Sequence, residues 1–460
     1  MAHFLTWIPI ERFLKVELLD ILVIYASVPC QESIRIQALT CYTEVLAKPF
    51  VASTAESLML KCYHQMCQMI ASFISGHTAS TPSGANSGDV DGDYLEKLCL
   101  MHHFFVLNHL RRVESSNLAL QFLTLMYQFT FNIEQLSPEQ LTLCVQSLES
   151  FLDHLKSRSE AMEASTFAQY IAQYSEVMSL FMNATLNMCI FSNKTRESIL
   201  DLDNLKVDSH DQTELDHFLN TCVEVVVLIC ELYFEKSLSS IHALFGTVQK
   251  QFTELDKGAM PVMVNRASID DMSTGERHVF SCGKNLITVM RIYGQLNDKF
   301  VEHFDATMNV CSSYISAIIS IQMSLLGSMI HQKATIMSQL SNEVFISLQM
   351  FHPWMKEFSN RDALRGEFEK LIVVIFDSFV KCLDPATNAT TDTLNGCTGL
   401  MLTMFYNFGN LPLTELAQYR VILQNLPQLT QFLSSKFQFS EFEPIAKRLY
   451  AALSNSILLK

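Results

Sequence analysis

The chain has 460 residues, only 14 glycines and 11 prolines, and no run of alternating β-branched residues, which speaks against sheet. At about 100–200 residues per globular domain the length suggests about three domains, unless the chain is a helical repeat whose core grows along one axis. A formal net charge of −15 disfavours nucleic-acid binding, which needs a basic surface to release counterions, and favours partners that are basic in part.

Residues 7–48 set the pattern for everything that follows. After Ile8 and Pro9 comes a short apolar helix with Leu18, Leu19, Leu22 and Val23 on one face. Ser27, Val28 and Pro29 stop it, because proline removes a donor and its predecessor avoids the α region. A second helix from about Gln31 places Ile34, Ala38, Leu39, Tyr42, Val45 and Leu46 at spacings that share a face, and Pro49 ends it. Such a hairpin buries one face of each helix and cannot close a core alone. Ahead of it, His3, Phe4, Leu5 and Trp7 read as the last turn of a helix whose earlier turns are absent, the expectation for a truncated chain or partial gene model.

Downstream, residues 55–74 predict a helix burying Leu58, Cys62, Met66, Met69 and Phe73. Residues 76–93 are rich in Gly, Ser, Thr and Asp and predict a loop. Helices follow over 94–112, 116–131 and 138–156, the last with Ser137 as N-cap and Pro138 in its first turn. One long helix is expected over 163–191, then an acidic loop over 192–211. Helices over 214–233 and 238–255 precede a third loop at 256–275. Further helices are expected over 277–296, 299–323, 333–358, 361–382 and 394–408, with shorter ones from Thr414 onward. The hairpins recur roughly every 35–50 residues, the period of HEAT or armadillo-type repeats. The expected fold is therefore all-α: a single HEAT/armadillo-like solenoid over 1–460, interrupted by the three loops. No apolar run reads as a membrane span; 310–329 comes nearest, but Ser, Gln and Tyr interrupt it. The start lacks the basic n-region of a signal peptide. The 13 cysteines, scattered mid-helix, suit reduced and buried thiols of cytosol or nucleus.

Motifs of catalysis are absent: no Walker A, dinucleotide fingerprint, nucleophile elbow, zincin pair or C-x-x-C occurs, so neither enzyme nor cofactor is expected. Cys99, His102 and His103 lie within one helical turn as possible metal ligands, or as a buried Cys beside partly exposed histidines. His210 and His217 flank the acidic loop as solvated edges, and the Asn-x-Thr matches at Asn183, Asn193 and Asn388 matter only in a secreted chain. Trp354 is a core filler or a groove aromatic, in a segment that Pro353 kinks or starts. Two charge features remain as candidate partner contacts. Arg111 and Arg112 end a helix, where they complement its dipole or bond an acidic residue of the next repeat, or else meet a partner. Asp201, Asp203, Asp208 and Asp211 give the second loop an acidic edge, a solvated connection or a surface for a basic partner.

Trp7-Ile8-Pro9 followed by LTCYTEVLAK resembles the exportin branch of the importin-β superfamily. Collinear likeness continues through Asn108 to Ser115, Gln121 to Leu125, Phe129-Thr130-Phe131, Asp211 to Glu214 and Ser347 to Trp354, and weakens over the last 75 or so residues. The resemblance implies a HEAT-repeat nuclear export receptor that carries actin–profilin with GTP-bound Ran, contacts nucleoporins, and shuttles between nucleus and cytoplasm. Family members are much longer. A middle segment contributing cargo contacts is what the resemblance implies here, without the amino-terminal repeats that first engage Ran. A HEAT scaffold that assembles other proteins without transport is the alternative.

Overall fold

The computed structural model describes residues 15–27, 31–48, 56–78, 92–113, 118–133, 136–191, 199, 213–255, 272–326, 335–387 and 389–408. The expected loops at 76–93, 192–211 and 256–275 lie mostly outside these residues, as do Trp7, His210 and the helices from Thr414 onward. The described parts of the first loop extend helices: one runs to Thr78 and the next begins at Gly92.

The described residues are predominantly helical and fall into two compact units, residues 1–189 with 194–233, and residues 190–193 with 234–460. The first unit contains α1 (Val16–Ser27), α2 (Glu32–Leu46), α3 (Glu56–Thr78), α4 (Gly92–Asn108), α5 (Leu110–Val113), α6 (Leu118–Asn132), α7 (Pro138–Ala161), α8 (Ala164–Ala172), α9 (Ser175–Cys189) and α10 (Glu214–Leu232). Its helices pack in pairs, and each pair stacks on the next, giving two rows. One row is α1, α3, α6 and α9; the other is α2, α4, α7 and α10. This is the all-α helical-repeat solenoid class, in which each pair needs its neighbour to bury both faces.

The second unit follows the same rule with α11 (Phe234–Glu254), α12 (Thr274–Gln295), α13 (Asn297–Glu302), α14 (Phe304–Leu326), α15 (Thr335–Met350), α16 (His352–Ser359), α17 (Arg365–Leu383) and α18 (Thr391–Asn407). Here α12, α15 and α18 form one row, while α14 packs on α17. Phe245 of α11 meets Tyr314 of α14 at 5.0 Å, which adds α11 to the second row. Gln322 donates to Ser341 at 2.8 Å and the Lys381 ammonium to the Met323 carbonyl at 2.7 Å, tying α14 to α15 and α17. By length and composition α14 is apolar enough to cross a membrane, contrary to the sequence expectation. Its Tyr314, Ile315, Ile318 and Ile319 are nonetheless buried against neighbouring helices, as in the core of a repeat.

Four helices expected to be continuous are broken: the one over 94–112 at His109, whose ring meets the Leu46 carbonyl at 2.9 Å, and three more, each for a visible reason. Between α8 and α9, Tyr174 is buried against Phe151, and the Ile171 carbonyl accepts from the Tyr233 hydroxyl at 2.8 Å. Between α13 and α14, the His303 ring stacks on Phe234 at 4.7 Å, and the Thr307 hydroxyl reaches back to the Phe300 carbonyl at 3.0 Å. Before α16, Pro353 has no N–H to give Gln349, whose carbonyl is met instead by His352 Nδ1 at 3.0 Å. In the first hairpin Ile34 is 41% exposed, whereas the remaining core positions named for α2 are buried.

The row of α12, α15 and α18 is packed closely enough that a side chain at Gly396 would crowd α15. A Cβ at Gly396 would lie 3.1 Å from Phe345 Cβ and 3.2 Å from the Asn342 carbonyl oxygen. Gly246, mid-helix in α11, has no heavy atom within 4 Å of where a Cβ would stand. Opposite effects are expected on chemical denaturation. Gly396→Val should lose about 1–3 kcal/mol by overpacking. Gly246→Ala should gain about 0.5–1 kcal/mol from helix propensity alone. Equal effects of the two changes would refute the close approach of α15 and α18.

Candidate partner-binding surface

The row α2, α4, α7 and α10 is parallel, and its side chains show how the register is set. Ser137 and Gln140 form a capping box at the start of α7: Ser137 N–H donates to Gln140 Oε1 at 2.9 Å, and Gln140 N–H to Ser137 Oγ at 3.3 Å. Gln140 Nε2 then donates to the Gly92 carbonyl at 2.9 Å, which pins the start of α7 beside the start of α4. Thr213 caps α10, accepting from Asp216 N–H at 3.2 Å. Gln146 and His217 meet early in α7 and α10 at 3.4 Å, and Lys156 pairs with Glu231 late in both at 2.6 Å. Neighbours that match early with early and late with late are parallel, as successive equivalent helices of a repeat array must be.

Two clefts lie along this row. A cleft of about 490 Å³ at the amino-terminal ends is lined by Glu96, Ser137, Glu139, Gln140, Glu214 and His217, among others. Glu139 and Glu214 belong to the first turns of α7 and α10, where the helix dipole favours negative charge, while Glu96 lies one turn into α4 and pairs with Lys97 at 2.9 Å. Further along, Glu149 and Asp153 of α7 approach Glu224 of α10. Burial first, then the charges of Asp153 and Glu224, raise the Glu149 carboxyl above its usual range. A smaller cleft of about 220 Å³ brings Arg111 opposite Ser150, Asp153 and His154, with the half-exposed Leu107 at its edge. The face is thus an acidic stripe closed at one end by arginine.

Arg111 and Arg112 sit in α5, exposed, at the carboxy-terminal side of α4, as the sequence suggested. Arg111 shares its cleft with Asp153 of the next repeat, although the two form no ion pair among the described residues. Asp201, Asp203, Asp208 and Asp211 lie outside the described residues. Glu149, Asp153 and Glu224 were not singled out from sequence; the i, i+4 pair on α7 was visible, but the approach of α10 was not.

Cys99, His102 and His103 part company. Cys99 and His102 are buried between α4 and α7, whereas His103 Nδ1 meets Ser147 Oγ at 3.0 Å. Burial, and then the charge of His102, lower the His103 imidazole to about 4. His102 is therefore buried, contrary to the expectation of a partly exposed ring. Among the described residues no group of three or more His, Cys, Asp or Glu side chains is arranged to hold a metal ion. His217 is exposed at the start of α10. Trp354 is fully buried and stacks on Phe304 at 5.3 Å, so it is a core residue.

No protein-family model matches the chain. Among curated proteins it is 24% identical to exportin-6 of Dictyostelium discoideum over 472 aligned positions, which cover 100% of this chain and 42% of that protein. It is 23% identical to exportin-6 of Mus musculus over 82% of this chain and 36% of the relative. Exportin-6 of Homo sapiens is 24% identical over 72% of the chain and 31% of its own length. The chain thus spans less than half the length of the curated relatives it matches. The alignment to the Dictyostelium protein runs the length of the chain, and the relatives matched are all exportin-6 proteins: over the part of them that it covers, this chain is exportin-6-like.

Proposed function

We propose that the chain is a segment of a nuclear export receptor, binding actin–profilin cargo together with GTP-bound Ran for transport from nucleus to cytoplasm. The observation that carries this reading is the collinear similarity to exportin-6 across the whole chain. The α4–α7–α10 row supplies the cargo-facing surface, because side chains from successive parallel helices add up to one extended face. Arg111 and Arg112 are its charged contacts, Asp201, Asp203, Asp208 and Asp211 are further contacts for a basic partner, and nucleoporins take the opposite row. The protein shuttles between nucleus and cytoplasm.

Such a receptor works by linkage, not catalysis. If Ran-GTP and cargo each favour the same arrangement of the array, each raises the other's affinity by the same factor, typically about 5–150-fold. Small shifts between stacked helix pairs supply the two arrangements. Hydrolysis takes place on Ran, so the receptor needs no catalytic residue.

The test is capture of purified actin–profilin by the immobilised chain, with Ran carrying a non-hydrolysable GTP analogue or GDP. At least about fivefold more actin and profilin with the GTP form is expected. Equal capture in both nucleotide states would favour the scaffold reading, and no capture in either would sink the cargo assignment for this segment.

A further inference from the structure

Between α4 and α7 the sulfurs of Cys99 and Cys144 stand 3.7 Å apart, both fully buried. The His102 imidazole lies one turn along α4, its Nδ1 held by the Cys99 carbonyl, while Nε2 makes no hydrogen bond to nitrogen or oxygen. Among the described residues two other cysteine pairs interact, Cys189 with Cys222 and Cys382 with Cys397, where burial and the partner cysteine act on Cys222 and Cys397. We propose that Cys99 and Cys144 are a redox-modified pair, oxidised by peroxide to a disulfide that staples two successive repeats of the α4–α7 row.

The chemistry balances. The Cys144 sulfur attacks one oxygen of hydrogen peroxide, the O–O bond breaks, and Cys144 becomes a sulfenic acid while the other oxygen leaves as water. The Cys99 sulfur then attacks the sulfenic sulfur, the S–S bond forms, and the hydroxyl leaves with the Cys99 proton as a second water. The two sulfurs together lose two electrons, and peroxide gains them. His102 positions this pair. Burial acts to raise the Cys144 thiol, but the hydrogen bond with Cys99 and the charge of His102 outweigh it and lower it. Burial instead raises Cys222 and Cys397, reinforced by their cysteine partners. Peroxide reaches the buried sulfurs by local opening of the helix interface. The inference does not depend on the transport reading.

The experiment uses the intact chain. It is exposed to hydrogen peroxide under native conditions, alkylated in denaturant, and digested with trypsin without reductant. Cleavage after Lys97, Arg111, Arg112 and Lys156 gives peptides 98–111 and 113–156, each with a single cysteine. The expected product is these two joined, two hydrogens lighter than their sum and released by dithiothreitol. It should form before any link at the other two pairs. Cys144→Ala should abolish it. His102→Gln, which keeps both thiols, should slow it by about tenfold. Both cysteines alkylated as free thiols, or links at all three pairs at equal rates, would overturn the proposal. An unchanged rate in His102→Gln would remove the histidine from it.

Discussion

Trp354→Ala is expected to destabilise the second unit by about 3–5 kcal/mol, the range for deleting a large buried aromatic side chain. The indole is fully buried, stacks on Phe304 at 5.3 Å and packs against Phe358 at 5.1 Å and Phe351 at 6.4 Å. Phe304 in turn carries the Arg361 guanidinium over its ring at 5.1 Å, so the loss spreads to the turn before α17. Packing, not hydrogen bonding, supplies the effect, because the indole N–H has no hydrogen-bond partner among the described residues. Trp354→Phe should therefore lose well under half as much, since it keeps most of the ring and removes a buried orphan donor. Unfolding in urea followed by helical circular dichroism measures both. If the two substitutions were equally damaging, the indole N–H would have to be bonded after all.

The same residue shows how far the sequence could be read. Its place just after Pro353 was legible, because proline permits a helix start and denies a donor to the turn behind it. Its environment was not, since Phe304 lies fifty residues upstream and belongs to a different helix pair. Helix existence and pairing followed from apolar spacing and from caps such as Ser137. The breaks at Tyr174 and His303 did not, because each is caused by a ring or hydroxyl arriving from elsewhere in the fold. The candidate surface divides in the same way. Arg111 and Arg112 stand out as adjacent charges at a helix end, while the acidic stripe opposite them exists only once α7 and α10 lie side by side. Ile34 was misplaced for a related reason: spacing names a face, but only the neighbouring helix decides how far along the helix that face is covered.

Lowering the pH should cost the first unit about 2 kcal/mol by pH 5 and about 3 kcal/mol by pH 4 through His109 alone. His109 is fully buried at the break between α4 and α5, and its Nε2–H donates to the Leu46 carbonyl at 2.9 Å, joining that break to the end of α2. Burial is the main cause that lowers its imidazole to about 4, with the Leu46 carbonyl opposing and the Arg112 charge assisting. The folded value lies below the unfolded value of about 6.5, so the unfolded chain binds the proton first. Stability from the neutral ring is thus complete above about pH 6.5 and disappears as pH falls toward 4. His103, also lowered to about 4, adds a smaller loss in the same window, because its ring is partly exposed to solvent. Glu149 works in the opposite sense: its raised carboxyl takes a proton more readily when folded, which relieves the acidic stripe as pH falls. His109→Gln separates these contributions, for the amide still donates to Leu46 and does not titrate. Urea unfolding of wild type and His109→Gln between pH 7.5 and 4 should show the variant gaining on wild type by about 2–3 kcal/mol as the pH falls. A difference that stays constant with pH would mean His109 titrates alike in both states, and the acid sensitivity of the unit would then belong to other groups.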